Sequence, residues 1–254
     1  MRYTKNTIAY FVVIVTASLL LGSCGKDNSG APADAGTGTG GSLARFTIYG
    51  EYLYTVDREV LKTYSLANPE LPELLSSVNI GTDIETIYPY GGNLFIGSME
   101  ALYIYSLEDP EKPERQALAS HLRACDPVVA DGDYAYVTVR SGSACGGPLD
   151  ALLVFDVSDL KQPVQLTQVQ LDSPYGLGIN GNTLYVCDGA AGLKVFDVTD
   201  PASPASLTHR EGYVFKDCIT HGDILVCMVD HGLVIYDITN ANTPTFVTEI
   251  IQQP

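Results

Sequence analysis

Three carboxylates in this chain, Glu85, Asp126 and Asp217, sit at or beside matching places in successive stretches of sequence. Converging carboxylates are the machinery of glycoside hydrolysis, in which one acts as an acid and the other as a base or nucleophile. Thiols are the second resource. Beyond Cys24 there are Cys125, Cys145, Cys187, Cys218 and Cys227, an odd number whose pairing in an oxidising compartment is set by geometry. The four histidines, 121, 209, 221 and 231, lack metal-ligand spacing, and no dense acidic loop supplies the oxygens that calcium needs, so no metal or cofactor is expected. There is no G-x-S-x-G elbow, HExxH, GxGxxG or P-loop to support a nucleophile, zinc or nucleotide reading.

Which elements would hold such residues together? Leu61, Leu102, Leu152, Leu193 and Leu233 recur, each followed three residues later by Tyr64, Tyr105, Phe155, Phe196 or Tyr236. Next comes Ser65, Ser106, Asp156, Asp197 or Asp237, and then a turn containing Pro72, Pro113, Pro163, Pro204 or Pro244. Upstream, a Gly-containing turn precedes "YLYTVD", "NLFIGS", "YAYVTV", "TLYVCD" and "ILVCMV". The period is about 41 residues except across an insertion at 141–150, and periods near 40 to 45 mark propeller-type arrays. Each unit reads as four short strands, with alternating or clustered apolar residues and no helical period. The expectation is an all-β fold, a five-bladed β-propeller of four-stranded antiparallel blades, with an open solenoid as the alternative. The chain begins with an inner strand and ends with an outer one, so no strand exchange latches such a ring.

The Asp of "FDVTDP", at 156, 197 or 237, is expected to accept hydrogen bonds from backbone N–H groups or a neighbouring strand, with the prolines pre-setting the turn. In a four-stranded meander, the loop between the second and third strands emerges on the same side as the start of the next inner strand. That side collects Asp57, Arg58, Glu100, Arg140, Asp188, Asp230 and His231, with Arg45, Glu85, Asp126, Tyr175, Lys216 and Asp217 from the inner-strand starts. A channel-mouth ring of Arg45, Glu85, Asp126, Arg140, Tyr175, Lys216 and Asp217 is the candidate binding site. Cys125 and Cys145 emerge on this face too, and a bridge between them would pin the inserted loop to the rim. Cys218 and Cys227 are a second candidate pair, because a turn at Gly222-Asp223 sets 221 opposite 224 and 218 opposite 227, at a non-hydrogen-bonded position.

Composition narrows the partners. A formal net charge of −16 repels phosphate backbones and excludes nucleic acid as a natural partner. With 16 Tyr and no Trp the composition suits pleated strands and lacks the large aromatic platforms that sugar-cleaving sites use.

At the N-terminus, Arg2 and Lys5 precede an apolar run from Ile8 to Leu21 that is too short for a spanning helix and fits a secretory signal. It ends in "LLLGSC", which resembles a bacterial lipobox with Cys24 as the lipidated residue. That resemblance implies acyl anchoring, and Gly25 after the Cys implies passage to the outer membrane. Residues 1–23 are thus expected to be a signal peptide. Residues 24–42 are expected to be the lipidated Cys and a Gly/Ala/Ser/Thr-rich tether of roughly 20 to 25 Å root-mean-square span, and residues 43–254 the propeller.

"GLKVFDVTDP" and "GLVIYDITNANTP" resemble the LVIVD repeat of bacterial surface and secreted proteins. The resemblance implies a propeller outside the cytoplasm and carries no catalytic residue. The expected function is a non-enzymatic binding scaffold for an unknown protein or glycan, facing the periplasm or cell surface, with a glycosidase-like hydrolase as the alternative.

Overall fold

The computed structural model describes residues 41–120, 127–141 and 148–251, all within one compact unit spanning 35–254. The expected signal peptide, Cys24, most of the expected tether, Cys125, Asp126 and Cys145 lie outside the described residues. Eighteen strands are assigned among the described residues. β1 (Phe46–Tyr49), β2 (Tyr52–Ser65), β3 (Glu73–Tyr90), β4 (Asn93–Ser98), β5 (Ala101–Ser106) and β6 (Glu114–Ser120) form one sheet. β7 (Val128–Asp131), β8 (Tyr134–Val139), β9 (Ala151–Asp156) and β10 (Val164–Gln170) form the next. β11 (Leu177–Asn180), β12 (Thr183–Cys187), β13 (Leu193–Asp197) and β14 (Ala205–Arg210) form a third. β15 (Phe215–His221), β16 (Ile224–Val229), β17 (Gly232–Asp237) and β18 (Thr245–Ile251) form the last. All pairings are antiparallel, and the sheets are those of a β-propeller.

The expectation of five separate blades is corrected: there are four sheets, because the first two repeats share the six-stranded one. Arg58 pairs with Ile84 across the boundary between them. Within β2 the chain nonetheless reverses. The Leu66 N–H donates to the Glu51 carbonyl at 2.8 Å, although a straight strand would hold those residues roughly 50 Å apart. Arg58, with φ 44°, is at the reversal. The same bond recurs from Leu107 to Gly92, Val157 to Asp133, Val198 to Asn182 and Ile238 to Asp223.

Register makes the repeats superimposable. Phe46, Ile87, Val128, Leu177 and Cys218 stand opposite Thr55, Ile96, Val137, Val186 and Cys227. Each repeat closes its second hairpin with a turn built from side-chain acceptors. The N–H groups of Ala67, Glu108, Ser158, Thr199 and Thr239 donate to Ser65, Ser106, Asp156, Asp197 and Asp237 two residues earlier. A second acceptor follows in every copy: Asn68, Asp109, Asp159, Asp200 or Asn240. These are the backbone-directed bonds expected of the repeated Asp; the hydroxyls of Ser158 and Thr199 foremost, together with these N–H bonds, and at Asp237 the Thr239 N–H and then its hydroxyl, hold the three carboxylates below the usual range.

Buried apolar side chains among the described residues fall into four clusters, each between consecutive repeats. Hydroxyls tie neighbours together as well. Tyr54 Oη donates to the Pro110 carbonyl and Tyr185 Oη to the Ala241 carbonyl, each at 2.8 Å and each reaching the proline turn of the following repeat.

Candidate binding rim

Glu85, Tyr175 and Lys216 occupy one position of the repeat, two residues before the Ile87, Leu177 and Cys218 set. Asp126 shares that position and lies outside the described residues. At two of these positions the inner strand bulges: pairing shifts between Ile84 and Thr86 and between Phe215 and Asp217. A bulge inserts one unpaired residue and re-aims its side chain, here Glu85 and Lys216. Tyr175 stands just before β11. Its N–H donates to the Cys187 carbonyl at 2.7 Å, its carbonyl accepts from Thr138 Oγ1, and the next N–H, of Gly176, donates to the Lys216 carbonyl at 2.8 Å.

Two cations converge on the Tyr175 ring. The Arg140 guanidinium carbon stands 4.1 Å from its centroid and Lys216 Nζ 4.2 Å. Both distances are within the cation–π range. Lys216 is also 3.2 Å from Asp230. Partial burial pulls the Lys216 pKa down, but Tyr175 and Asp230 outweigh it and the net shift is upward. Burial pushes the Glu85 carboxyl up, opposed by Arg45 and Arg140 and reinforced by Asp83. The expected rim thus assembles Glu85 near Arg45 and Arg140, and Tyr175 with Arg140 and Lys216. The π-faces of Tyr175 serve the protein's own cations.

Asp217 departs from the expectation. It is one residue along from Lys216, and its carboxylate is engaged by the N-terminal segment: Ser42 Oγ donates at 3.0 Å and Leu43 N at 3.4 Å. Its Oδ1 accepts from Cys218 N at 2.9 Å, and a Cβ on Gly176 would sit 2.0 Å from the same oxygen. Burial foremost, with the Cys218 thiol, pushes its pKa up to about 7 against these three hydrogen bonds. Ser42 Oγ in turn accepts from Leu177 N at 2.7 Å, and the Ala44 carbonyl accepts from Ile87 N at 2.9 Å. Residues 42–44 therefore bind inner strands of three different repeats, and Asp217 is a fastening rather than part of an open rim.

Asp188 is also structural. Fully buried, it accepts from the N–H groups of Asp172 and Ser173, the latter at 2.7 Å, with Lys194 Nζ 3.9 Å away. Burial raises its pKa against those two backbone bonds. Asp57, Arg58, Glu100, Asp230 and His231 are exposed. The insertion is clasped at its base by Asp150, whose carboxylate accepts from Ser141 N at 2.9 Å and from Ser141 Oγ.

The hairpin register predicted for the last repeat is observed, His221 opposite Ile224 and Cys218 opposite Cys227. The bridge proposed there is not: Cys187, Cys218 and Cys227 are free, buried thiols packed in one apolar cluster. Burial pushes the Cys187 thiol well above its ordinary pKa, so it has little thiolate character.

Sequence reasoning passed over the hollow beside Asp230, lined by Gly212, Tyr213, Val214, His231 and Glu249. Tyr213 Oη donates to Glu249 Oε2 there, and its ring meets Phe215 edge-on at 6.0 Å. No spacing signal joins Tyr213, just before β15, to Glu249 in β18.

The LVIVD repeat family model matches residues 176–208, which run from the start of β11 into β14. That stretch matches an LVIVD repeat, within a chain folded as a β-propeller. No curated protein matches its sequence. Among solved structures, a protein from Lactobacillus plantarum superposes with a TM-score of 0.66 at 14% identity, covering 80% of this chain and 69% of that one. The periplasmic gluconolactonase PpgL of Pseudomonas aeruginosa gives 0.58 at 15%, over 79% and 69%. BamB from Moraxella catarrhalis gives 0.55 at 9%, over 82% and 60%. At such identities the likeness is one of fold alone. The chain spans only 60% of the first solved structure it matches.

Proposed function

We propose that this LVIVD-repeat propeller is a lipid-anchored protein of the outer membrane, fixed through Cys24 and held off the membrane by its tether. It acts there as a non-enzymatic scaffold that binds a protein or glycan ligand. One observation carries the reading: Arg140 and Lys216 converge on Tyr175, with Arg45 in electrostatic reach of the adjoining Glu85. In a chain of net charge −16 this is a local concentration of cations, and it selects anionic groups such as the carboxylates of an acidic peptide or an acidic sugar. Asp217 is already engaged by Ser42 and Leu43, which weighs against its pairing with Glu85 for hydrolysis. The envelope location is supported by the signal-like N-terminus and by the fold shared with a periplasmic gluconolactonase. The test is capture from envelope extract and culture medium, alongside a uronic-acid polysaccharide, by the wild-type protein and by the Arg140→Ala/Lys216→Ala double variant. A ligand retained by the wild type and lost by the variant is the expected result. Equal retention by both removes the rim from the proposal.

A further inference from the structure

The hollow beside Asp230 has a volume of about 490 Å³, within the size range of small-molecule sites. Its walls come from the last two repeats: Ala190 in the loop between β12 and β13, the connection into β15 at 212–214, the turn after β16, and β18. Register explains why the space exists. Val186 and Cys227 hold one position of the repeat, so Asp188 and Val229, two residues on, hold another. In the earlier repeat Asp188 draws its connection inward by accepting from the N–H groups of Asp172 and Ser173. Val229 is buried as well, but its side chain accepts nothing, and the connection at 212–214 becomes the wall of a hollow instead.

The lining has two chemical characters. Val214, Val229 and Ile251 are apolar, and Tyr213 adds an aromatic ring. Facing the same space are two carboxylates, Asp230 and Glu249. Lys216 Nζ, 3.2 Å from Asp230, is shared with the Tyr175 ring. Glu249 accepts from the Tyr213 hydroxyl, and among the described residues no cation lies within ion-pair distance of it. Two carboxylates against one ammonium leave the hollow negative, and the Tyr213 ring adds its own attraction for a cation. We infer that this hollow is a binding site for a primary ammonium group on an apolar stem, as in an alkylamine or a lysine side chain. The ammonium is taken by Glu249 and Asp230, and the stem lies along Val214, Val229 and Ile251. The charge it selects is opposite to that selected by the Arg140 and Lys216 rim. Lys216 attracts a ligand there, whereas here it competes with the ligand for Asp230.

The probe is n-hexylamine, titrated into the full chain at neutral pH, where it is an ammonium, with n-hexanol and hexanoate as controls of equal stem length. Calorimetry should show saturable binding of the amine and at least several-fold weaker binding of both controls. Added salt should weaken the amine by screening its attraction to the carboxylates. Glu249→Gln keeps the side chain's shape and removes its charge, so it should weaken the amine at least several-fold. Lys216→Ala releases Asp230 and should strengthen it, the reverse of its expected effect on an anion at the rim. Nα-acetyl-lysine methylamide is titrated in parallel, and the tighter of the two amines tells whether the stem is that of a free amine or of a peptide. Four results each overturn the inference: no saturable binding of either amine, hexanol binding as tightly as hexylamine, wild-type affinity in Glu249→Gln, or no gain in Lys216→Ala.

Discussion

Ser42 Oγ donates to Asp217 Oδ1 at 3.0 Å while accepting from Leu177 N at 2.7 Å, so one hydroxyl fastens the segment before β1 to inner strands of the last two sheets. Ser42 is buried and far in sequence from both partners. Its loss leaves a buried N–H and a buried carboxylate each short of a partner, and Ser42→Ala is expected to cost about 1–3 kcal/mol, read as a lower midpoint in urea unfolding.

Asp217 makes stability depend on pH. Its folded pKa of about 7 lies above the ordinary carboxylate value, so the folded state holds this proton more tightly than the unfolded chain does. The contribution is fully present below about pH 4 and is lost as pH rises to about 7. Unfolding at pH 5 and pH 8 should show the wild type losing stability relative to Asp217→Asn, on the order of a few kcal/mol. An unchanged difference between the two proteins would mean that Asp217 is ionised in the fold at both pH values.

Asp188 closes the connection into β11 through the N–H groups of Asp172 and Ser173. Asp188→Ala removes both acceptors from a buried site and should lower stability by about 2–4 kcal/mol, while Asp188→Asn, which retains one acceptor oxygen, should cost less. Denaturant midpoints of the two variants provide the comparison.

Tyr54 and Tyr185 perform one task in two repeats, so their phenylalanine variants should behave alike. Each loses a single bond to a carbonyl of the next repeat, about 1 kcal/mol. The sites are in different repeats and share no partner, so the double variant should lose the sum. A strong departure from additivity would show that the two inter-repeat contacts are coupled through the array.

Cys24→Ala should move the protein from the membrane fraction to the soluble one with its fold intact, as judged by an unchanged thermal transition. Retention in the membrane would mean that the apolar segment, not lipid, is the anchor.

Non-reducing peptide mapping of the alkylated protein should recover Cys125 joined to Cys145, and Cys187, Cys218 and Cys227 alkylated. An alkylated Cys145 would leave the inserted loop held only at its base, by Ser141 and Asp150.

Strand register and turn chemistry were legible because both are short-range. A two-residue turn at Gly222-Asp223 places Cys218 opposite Cys227, and a Ser or Asp before a proline turn finds its N–H partner two residues on. Two features were not legible. Lys216 and Asp217 were placed on one rim, but consecutive residues of a strand point to opposite faces. With Lys216 bulged out of register, Asp217 meets the N-terminal segment, a contact between residues about 175 apart that no local pattern encodes. The merging of the first two repeats into one sheet was hidden for a similar reason. It depends on Arg58 and Ile84 pairing across a repeat boundary, where the sequence shows only two strands and a turn.

The side-chain-capped turns have a consequence for how such a protein can change. Every copy satisfies its turn from within its own short stretch, at Ser65 and Asn68, Ser106 and Asp109, Asp156 and Asp159, Asp197 and Asp200, and Asp237 and Asn240. None borrows an acceptor for it from a neighbour. A gene duplication or deletion that adds or removes one whole period therefore leaves every remaining turn chemically complete, and array length can drift in evolution by whole units.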